Sequence, residues 1–374
     1  MSNPEPFPFI DVSGTPHERG VQIGQRARER IERSVTLYAG RIERLGLTRA
    51  DLARLVGEIE PSCAHFTPRH VEEMRGIAEG AGLAFEDIAL INARTEIIAR
   101  ARLEASLRNE EPDGCTGVIV LGERSASGRL IHAQNWDWLS ACAETAIVMR
   151  VRPDDGPAFL TFTEAGGVAR SGLNEAGIAI TANYLECERD YSQTGVPLPF
   201  IRRAVLEHEH LALAMRDVAT TPKACSNNMM LSHRDGFAID FECAPDEAFH
   251  LLPDDGLLVH ANHWIGPTAR ARIRETGIAD SPDSLYRDWR VHQHLKDNRA
   301  ITPDDVKTAL FENFATPHSV CRPDRSGRGG DDYATVAMIV MDPAGGTMEV
   351  APLPAQNRVF TRYALVGEPV EVAG

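Results

Sequence analysis

The feature that most constrains the fold is an abrupt change of sequence pattern at Cys115. Before it, residues 15–108 carry apolar side chains at three- and four-residue spacing, which is the pattern of amphipathic helices. After it come TGVIVLG, RLIHAQNWDW and TAIVMRVRP, short segments rich in β-branched residues and separated by turn-forming residues. The sequence therefore predicts a helical N-terminal segment followed by a sheet whose first strand begins at Cys115.

The remainder of the chain consists of further blocks of strands and helices. Helical spacing returns at 198–219 and 284–312, strand patterns occupy 227–264, and the segment 333–353 predicts a closing hairpin. Strands joined mostly by short turns favour antiparallel sheets covered by helices over a doubly wound parallel sheet. We therefore expect an α+β fold in one compact unit, with the Gly/Arg/Asp-rich run 322–332 as a mobile loop.

Composition narrows the partners that the chain can have. The 374 residues are 43% hydrophobic, enough for a large core, and the net charge of −15 would repel phosphate backbones and anionic lipids. The sequence shows no signal-like segment and no stretch of about eighteen apolar residues. It therefore predicts no nucleic-acid or membrane partner and a cytoplasmic location. A homodimer is expected only on the general ground that soluble enzymes of this size often form one.

The seven cysteines are scattered and contain no C-x-x-C pair. An odd number without paired spacing argues against a disulfide framework and against a structural zinc site. Most of them are therefore expected to be small buried side chains, and no metal or other cofactor is predicted.

Cys115 differs from the other cysteines because it directly follows Gly114. Cleavage of the bond between them would place the thiol on a new N-terminus, where the α-amine, with a pKa of about 7.7 to 8.0, can take the thiol proton. Glycine at the preceding position tolerates strained backbone and adds no bulk during attack on its carbonyl. The alternative is a turn followed by a buried strand cysteine, the usual meaning of an isolated Asp-Gly-Cys.

Further motifs accompany this junction in order along the chain. They are SGTPHERGVQIGQRARERI, PDGCTGVIV, GRLIHAQNWDW, SGLNEAGIAITANYL, GVPLPFIRRAVLE, LLVHANHW and DYATVAMIVMDPAGGTMEVAPLP. Together they resemble the acyl-coenzyme A:6-aminopenicillanic acid acyltransferase family of self-processed N-terminal-nucleophile (Ntn) hydrolases. The resemblance implies a four-layer αββα sandwich, autocleavage between Gly114 and Cys115, a small chain of residues 1–114 and a catalytic chain of residues 115–374.

Two further catalytic residues are predicted. Asp137 ends the second strand, and an antiparallel hairpin would bring it beside the start of the first strand, where it can orient the Cys115 amine. The resemblance assigns Asn262, in VHANHW, to the oxyanion. One such amide donor is worth roughly 3 to 4 kcal/mol in acyl transfer. Without Cys115, Asp137 would be interpreted as an ordinary turn residue.

The substrate-binding candidates are Asn135, Trp136, Asn183 and Arg322. Asn135 and Trp136 adjoin Asp137, and Asn183 resembles an asparagine near the pocket of related Ntn amidases. Arg322 falls where the family carries an arginine near the substrate, and there it would bind a substrate carboxylate. The residues around Arg322 alone favour an exposed loop arginine.

His260 and His263 raise the alternative of a metal-dependent hydrolase, with His233 as a third ligand. Residues three apart on a strand point to opposite faces, and no motif supplies further ligands, so metal is the weaker interpretation. A catalytically silent binding protein on the same scaffold is a third hypothesis. The favoured prediction is an Ntn cysteine amidohydrolase or acyltransferase that acts on a small N-acyl amide or an acyl thioester.

Overall fold

The computed structural model describes residues 4–105, 114–327 and 330–372, with side chains left out at 103–105. Residues 106–113, which include the end of the predicted N-terminal helical segment, and residues 328–329 of the predicted mobile loop lie outside the described residues.

Helices fill the N-terminal segment, as predicted, and then recur in three places. Three of them begin directly after a threonine whose hydroxyl accepts the backbone N–H of the third helical residue. The acidic side chain of that third residue in turn accepts the backbone N–H of the threonine. The helices are α1 (Pro16–Arg26), α2 (Arg28–Arg44), α3 (Arg49–Phe66), α4 (Pro68–Ala81), α5 (Phe85–Asn92), α6 (Arg94–Ala105), α7 (Leu198–Glu207), α8 (Leu211–Thr220), α9 (Pro267–Arg272), α10 (Ser284–Leu295) and α11 (Pro303–Leu310).

The strands form two eight-stranded sheets. They are β1 (Phe9–Gly14), β2 (Gly114–Val120), β3 (Ile131–Leu139), β4 (Ala146–Pro153), β5 (Phe159–Glu164), β6 (Ser171–Asn174), β7 (Ile178–Tyr184), β8 (Asn227–His233), β9 (Phe237–Cys243), β10 (Ala248–Leu251), β11 (Leu257–His260), β12 (Arg325–Ser326), β13 (Asp332–Asp342), β14 (Thr347–Pro352), β15 (Phe360–Ala364) and β16 (Val370–Val372).

Sheet order confirms the predicted antiparallel arrangement. Sheet A runs β1-β4-β5-β6-β7-β8-β9-β10, and sheet B runs β11-β2-β3-β13-β14-β15-β16 with β12 paired to β13. Among the pairings of the described strands, β1 with β4 is parallel and the rest are antiparallel. Strand β1 was not predicted from the sequence, and it ties the helical N-terminal segment to the edge of sheet A.

The two sheets pack face to face between two helical layers. Strand β2 of sheet B packs on β7 of sheet A, while α7 and α8 cover the outer face of sheet A and α10 and α11 cover that of sheet B. The fold is therefore the αββα sandwich that the resemblance implied.

One strand is shorter than the sequence suggested. The pattern from Gly256 to Trp264 predicts a continuous strand, but β11 ends at His260 and the following residues form a loop. Within the described parts of the chain, no helix has both the length and the apolarity needed to cross a bilayer. The cytoplasmic location and the homodimer stay predictions.

Candidate active site

The Gly114-Cys115 junction opens the central hairpin of sheet B. The register of β2 against β3 places Gly114 opposite Asp137 and Cys115 opposite Trp136. Because successive strand residues point to opposite faces, Cys115 and Trp136 share one face and Gly114 and Asp137 share the other. The predicted hairpin thus brings the Asp137 carboxylate to the acyl side of the Gly114-Cys115 bond.

The Cys115 side chain is buried between the two sheets. It belongs to the same apolar core as Trp136 of its own sheet and Phe162 of sheet A, whose rings meet edge to face with centroids 5.6 Å apart. Arg170 stacks on the Trp136 indole, with its guanidinium carbon 4.0 Å from the ring centroid. The sulfur therefore sits in a low-dielectric setting, beside an indole that carries a cation on its ring.

Both main-chain polar groups of Cys115 are bonded to side chains from distant parts of the chain. Its N–H donates to Asn262 Oδ1 at 2.8 Å, and its carbonyl oxygen accepts from Arg287 Nη1 at 2.7 Å. The same Nη1 also donates to the Thr116 hydroxyl at 3.0 Å. The position of the nitrogen that would become the α-amine is thus fixed by Asn262.

The contacts of Asn262 set the orientation of its amide. Arg287 Nη2 lies 2.7 Å from Asn262 Oδ1, and a guanidinium can only donate, so this atom must be the carbonyl oxygen. The amide nitrogen donates to the backbone carbonyl of Tyr184 at 2.8 Å. Asn262 therefore presents an acceptor to Cys115, whereas the predicted oxyanion role needs a donor. That role stays a prediction, and the second hydrogen of the amide nitrogen is the donor that it would use.

Asp137 lies on the helix-covered face of sheet B. Its Oδ1 accepts from the Thr335 hydroxyl at 2.6 Å, and its Oδ2 lies 3.2 Å from Arg322 Nε. Burial raises the pKa of the Asp137 carboxyl above its usual value, and Arg322 and Arg287 offset only part of that rise.

Asp283, the residue before α10, links the two arginines of the site. It accepts from Arg287 Nε at 2.8 Å and pairs with Arg322 through Nη2. Burial alone would raise the pKa of Asp283, but the two guanidinium groups outweigh it and hold the pKa below its usual value. Two carboxylates and two guanidinium groups thus balance in charge directly beneath the Gly114-Cys115 junction.

Gly114 is required by the closeness of this network. A Cβ at residue 114 would lie 2.8 Å from Arg322 Nη1 and 2.9 Å from Asp137 Oδ2. Any residue other than glycine would have to displace Arg322 or Asp137. The network therefore packs directly against the main chain at the proposed cleavage site.

The substrate-binding candidates other than Arg322 are buried among protein groups. Asn135 Nδ2 donates to the carbonyls of Leu310 and Val320 on the helix side of sheet B. Asn183 Nδ2 donates to the carbonyls of His260 and Ala261, both at 3.0 Å. Asn183 thereby holds the segment that leads to Asn262, and Trp136 lies in the core described above. A substrate contact by any of them stays a prediction.

Arg322 is not the exposed loop residue that its neighbours in sequence suggested. It is buried, its backbone N–H donates to the Thr335 hydroxyl, and its guanidinium lies between Asp137 and Asp283. Glycine and aspartate neighbours predicted a loop over 322–332, whereas Arg325–Ser326 form β12 and Asp332 begins β13. They could not reveal that two distant carboxylates draw the side chain inward.

The histidines considered as metal ligands have other partners. His260 contacts Glu242, His263 contacts Ser284, and His233 contacts Asp235. Across residues 4–105, 114–327 and 330–372, no group of three His, Cys, Asp or Glu side chains is arranged to hold a metal ion.

Arg287, Asp283 and Thr335 were missed from the sequence. Arg287 and Thr335 lie within ordinary helical and strand patterns, and Asp283 lies in the short turn before a helix, with no motif around any of them. The one available signal was the i, i+4 spacing of Asp283 and Arg287, which is common on exposed helices.

In this structure a Gly-Cys junction opens a central strand, and a carboxylate from the next strand lies beside it. Two antiparallel sheets lie between helical layers. This is the arrangement of the Ntn-hydrolase class. The family described as acyl-coenzyme A:6-aminopenicillanic acid acyl-transferase matches residues 124–353, more than half of the chain. The chain belongs to this family of acyl-transferases. The matched residues include Asp137, Asn262 and Arg322 and begin after Cys115.

A relative extends the match across the junction. The acyl-coenzyme A:6-aminopenicillanic-acid-acyltransferase 40 kDa form of Emericella nidulans is 28% identical over 341 residues, which covers 90% of each chain.

Two solved structures show more distant similarity. The conjugated bile acid hydrolase from Clostridium perfringens is 12% identical, with a TM-score of 0.46 over 70% of this chain and 97% of that one. Penicillin V acylase from Agrobacterium tumefaciens is also 12% identical, with a TM-score of 0.39 over 69% and 91%.

Proposed function

We propose that the chain is a self-processed Ntn cysteine enzyme that cleaves or transfers the acyl group of a small N-acyl amide or acyl thioester through Cys115. The observation that carries this proposal is the bond from the Cys115 N–H to Asn262 Oδ1 at 2.8 Å, directly after a glycine that packs on Asp137 and Arg322. The acceptor of this N–H is a side chain 147 residues further along the chain rather than a carbonyl of a neighbouring strand.

Self-cleavage would begin with attack of the Cys115 sulfur on the Gly114 carbonyl carbon. The C–N bond then breaks, the proton that the thiol gives up ends on the nitrogen, which leaves as the α-amine of residue 115, and the acyl half remains on sulfur as a thioester. Water hydrolyses that thioester and frees the two chains. Asp137 lies beside Gly114 and would orient the nitrogen as it leaves.

In the mature enzyme the same nitrogen would act as the base. An α-amine that donates one N–H to Asn262 Oδ1 keeps its lone pair free to accept the thiol proton. The thiolate attacks the substrate carbonyl, the leaving amine or thiol receives the proton, and water or a second amine resolves the acyl-enzyme. Arg287 would hold the Cys115 carbonyl still through both half-reactions.

The substrate class is proposed from the family and its Emericella nidulans relative. Both names combine an acyl thioester donor with an amine acceptor, so acyl thioesters and N-acyl amides are the compounds to test. We favour hydrolysis of an N-acyl amide over transfer to an amine.

The test is an acyl panel on the mature enzyme. N-acyl amino acids and acyl-coenzyme A thioesters of increasing chain length are assayed with and without hydroxylamine as an amine acceptor, and intact mass is used to detect an acyl group on the fragment that begins at residue 115. The proposal expects turnover that iodoacetamide abolishes and an acyl adduct on Cys115. Turnover that persists in Cys115→Ala would overturn it.

A further inference from the structure

A second group of buried charges lies behind Asn262, on the side away from Cys115. His260, Asp240 and Glu242 are completely buried where β11 of sheet B ends over β9 of sheet A. Neither the proposed self-cleavage nor the proposed acyl transfer uses these groups directly.

The contacts of His260 fit a doubly protonated ring. Its Nδ1 lies 3.0 Å from the Ala261 carbonyl oxygen, and its Nε2 lies 2.9 Å from Glu242 Oε1. A carbonyl can only accept, so Nδ1 carries a hydrogen, and Glu242 Oε1 also accepts the backbone N–H of Ile265. A ring that donates from both nitrogens, an imidazolium, satisfies all of these contacts.

His263, three residues on, is in a different setting. Its Nδ1 lies 2.8 Å from the Ser284 hydroxyl oxygen, which accepts the Asn262 N–H at 2.7 Å. Burial, followed by the charge of His260, lowers the pKa of His263 to about 4. The two histidines considered as a metal pair therefore differ, since His260 contacts a carboxylate and His263 contacts a hydroxyl.

Glu242 accepts hydrogen bonds from both ends of the segment 260–266, the loop that carries Asn262. One end is the His260 ring, and the other is the backbone N–H groups of Ile265 at 2.6 Å and Gly266 at 3.1 Å. A Cβ at Gly266 would lie 2.4 Å from Glu242 Oε2, so this end also depends on bare backbone. The loop between these ends holds Asn262 against the Cys115 nitrogen.

We propose that the His260–Glu242 ion pair is a positioning device that holds Asn262 against Cys115. The effect of this ion pair on catalysis rests on the proposed function of Cys115. The ion pair and its hold on Asn262 do not depend on that function. Both residues are positioning residues, because neither contacts the sulfur or the nitrogen of Cys115 in the described structure.

Other charged groups around His260 favour the imidazolium. Burial alone would lower the pKa of His260, but Asp240, with Oδ2 at 3.7 Å, and Glu242 raise it to about 9. The remaining titratable or charged side chains that interact with His260 or with its neighbour His263 are Glu275, Asp288, Arg270 and Arg287.

The first experiment needs no variant. Wild-type protein labelled with ¹⁵N-histidine is examined by NMR at pH 8, where an ordinary histidine is neutral. The proposal expects one ring with both nitrogens protonated, and a Glu242→Gln variant that lacks this signal. Failure to find a doubly protonated ring in the wild type would overturn the proposal even if no variant folds.

The second experiment measures the consequence for the loop and for Cys115. His260→Gln and Glu242→Gln are compared with His250→Gln, which changes an exposed histidine on the neighbouring strand β10. We expect both site variants to raise hydrogen exchange at residues 261–266 at least tenfold. They should also lower kcat for p-nitrophenyl acetate about tenfold with KM within twofold, and His250→Gln should do neither.

Unchanged exchange and unchanged kcat in both site variants would overturn the proposal. Failure of the proposed function is distinguishable, because it would appear as p-nitrophenyl acetate turnover that survives Cys115→Ala. The NMR and exchange results would still decide whether the ion pair positions the loop.

Discussion

Two of the buried networks of arginines and carboxylates in the described part of the chain differ in what they contact. In the first, Glu73 on α4 accepts from Arg19 on α1 and from Arg203 on α7 at 2.7 to 3.0 Å. In the second, Asp137 and Asp283 pair with Arg287 and Arg322 beneath Gly114. The first joins helices to one another. The second bonds the backbone of Cys115 and the side chain of Asn262.

This difference predicts which network affects folding stability and which affects the reaction at Cys115. The Glu73 network joins the N-terminal segment to the remainder of the fold, so its loss should affect folding and leave Cys115 undisturbed. The network at Cys115 reaches the atoms that would react, so its loss should affect the reaction beyond any effect on folding. The variants below test this separation, from the largest expected effect to the smallest.

Arg287→Met should cause the largest loss, in activity. It removes the donor to the Cys115 carbonyl and to Asn262 Oδ1, and charge-assisted bonds of this kind at a reacting centre are worth roughly 3 kcal/mol. We expect kcat/KM for p-nitrophenyl acetate to fall about a hundredfold. Arg290→Met on the same helix removes a cation that pairs with Glu312 instead, and it should cost less than twofold.

Glu73→Gln should cause the largest loss in stability. Two buried guanidinium groups would lose their shared carboxylate, which typically costs about 3 to 5 kcal/mol. Urea unfolding followed by circular dichroism measures the loss, with Glu79→Gln on the same helix as an exposed control. The rate per folded molecule should stay at the wild-type value. A fall in that rate as large as that of Arg287→Met would remove the distinction between the two networks.

Gly114→Ala should slow self-cleavage. The added methyl group would push Arg322 and Asp137 away from the junction, since contacts of 2.8 and 2.9 Å are too short for a real Cβ. We expect the half-time for appearance of the fragment beginning at residue 115 to lengthen at least tenfold in a pulse-chase gel. Gly57→Ala, a helical glycine with open space around it, is the matched control and should cleave at the wild-type rate.

The smallest effect concerns stability against pH. The pKa of His260 is raised to about 9 in the folded protein. Its contribution to the free energy of unfolding is therefore fully present below the usual histidine pKa of about 6.5 and is lost as pH rises through about 9. The wild type should therefore lose more Tm between pH 7 and pH 9.5 than His260→Gln. Equal losses in the two proteins would show that His260 is not a cation in the folded state.

Sequence alone located the junction and the hairpin because both depend on local pattern. A strand that opens at Cys115, followed by a short turn and a second strand, places Asp137 within one register position of Gly114. Asn262 followed from the resemblance. Arg287 could not be predicted, because an arginine on an amphipathic helix is normally solvated and only tertiary packing carries this one to Cys115, 172 residues earlier in the chain. Arg322 was misjudged for the same reason, since its two carboxylate partners come from β3 and from the residue before α10.

The central claim is that residue 115 becomes a chain terminus whose own nitrogen activates its sulfur. Intact mass of the purified wild type, beside Cys115→Ala, tests it most directly. The account predicts two chains, residues 1–114 and 115–374, in the wild type and a single uncut chain in the variant. A wild type that stays in one piece and still hydrolyses N-acyl amides at its full rate would contradict it.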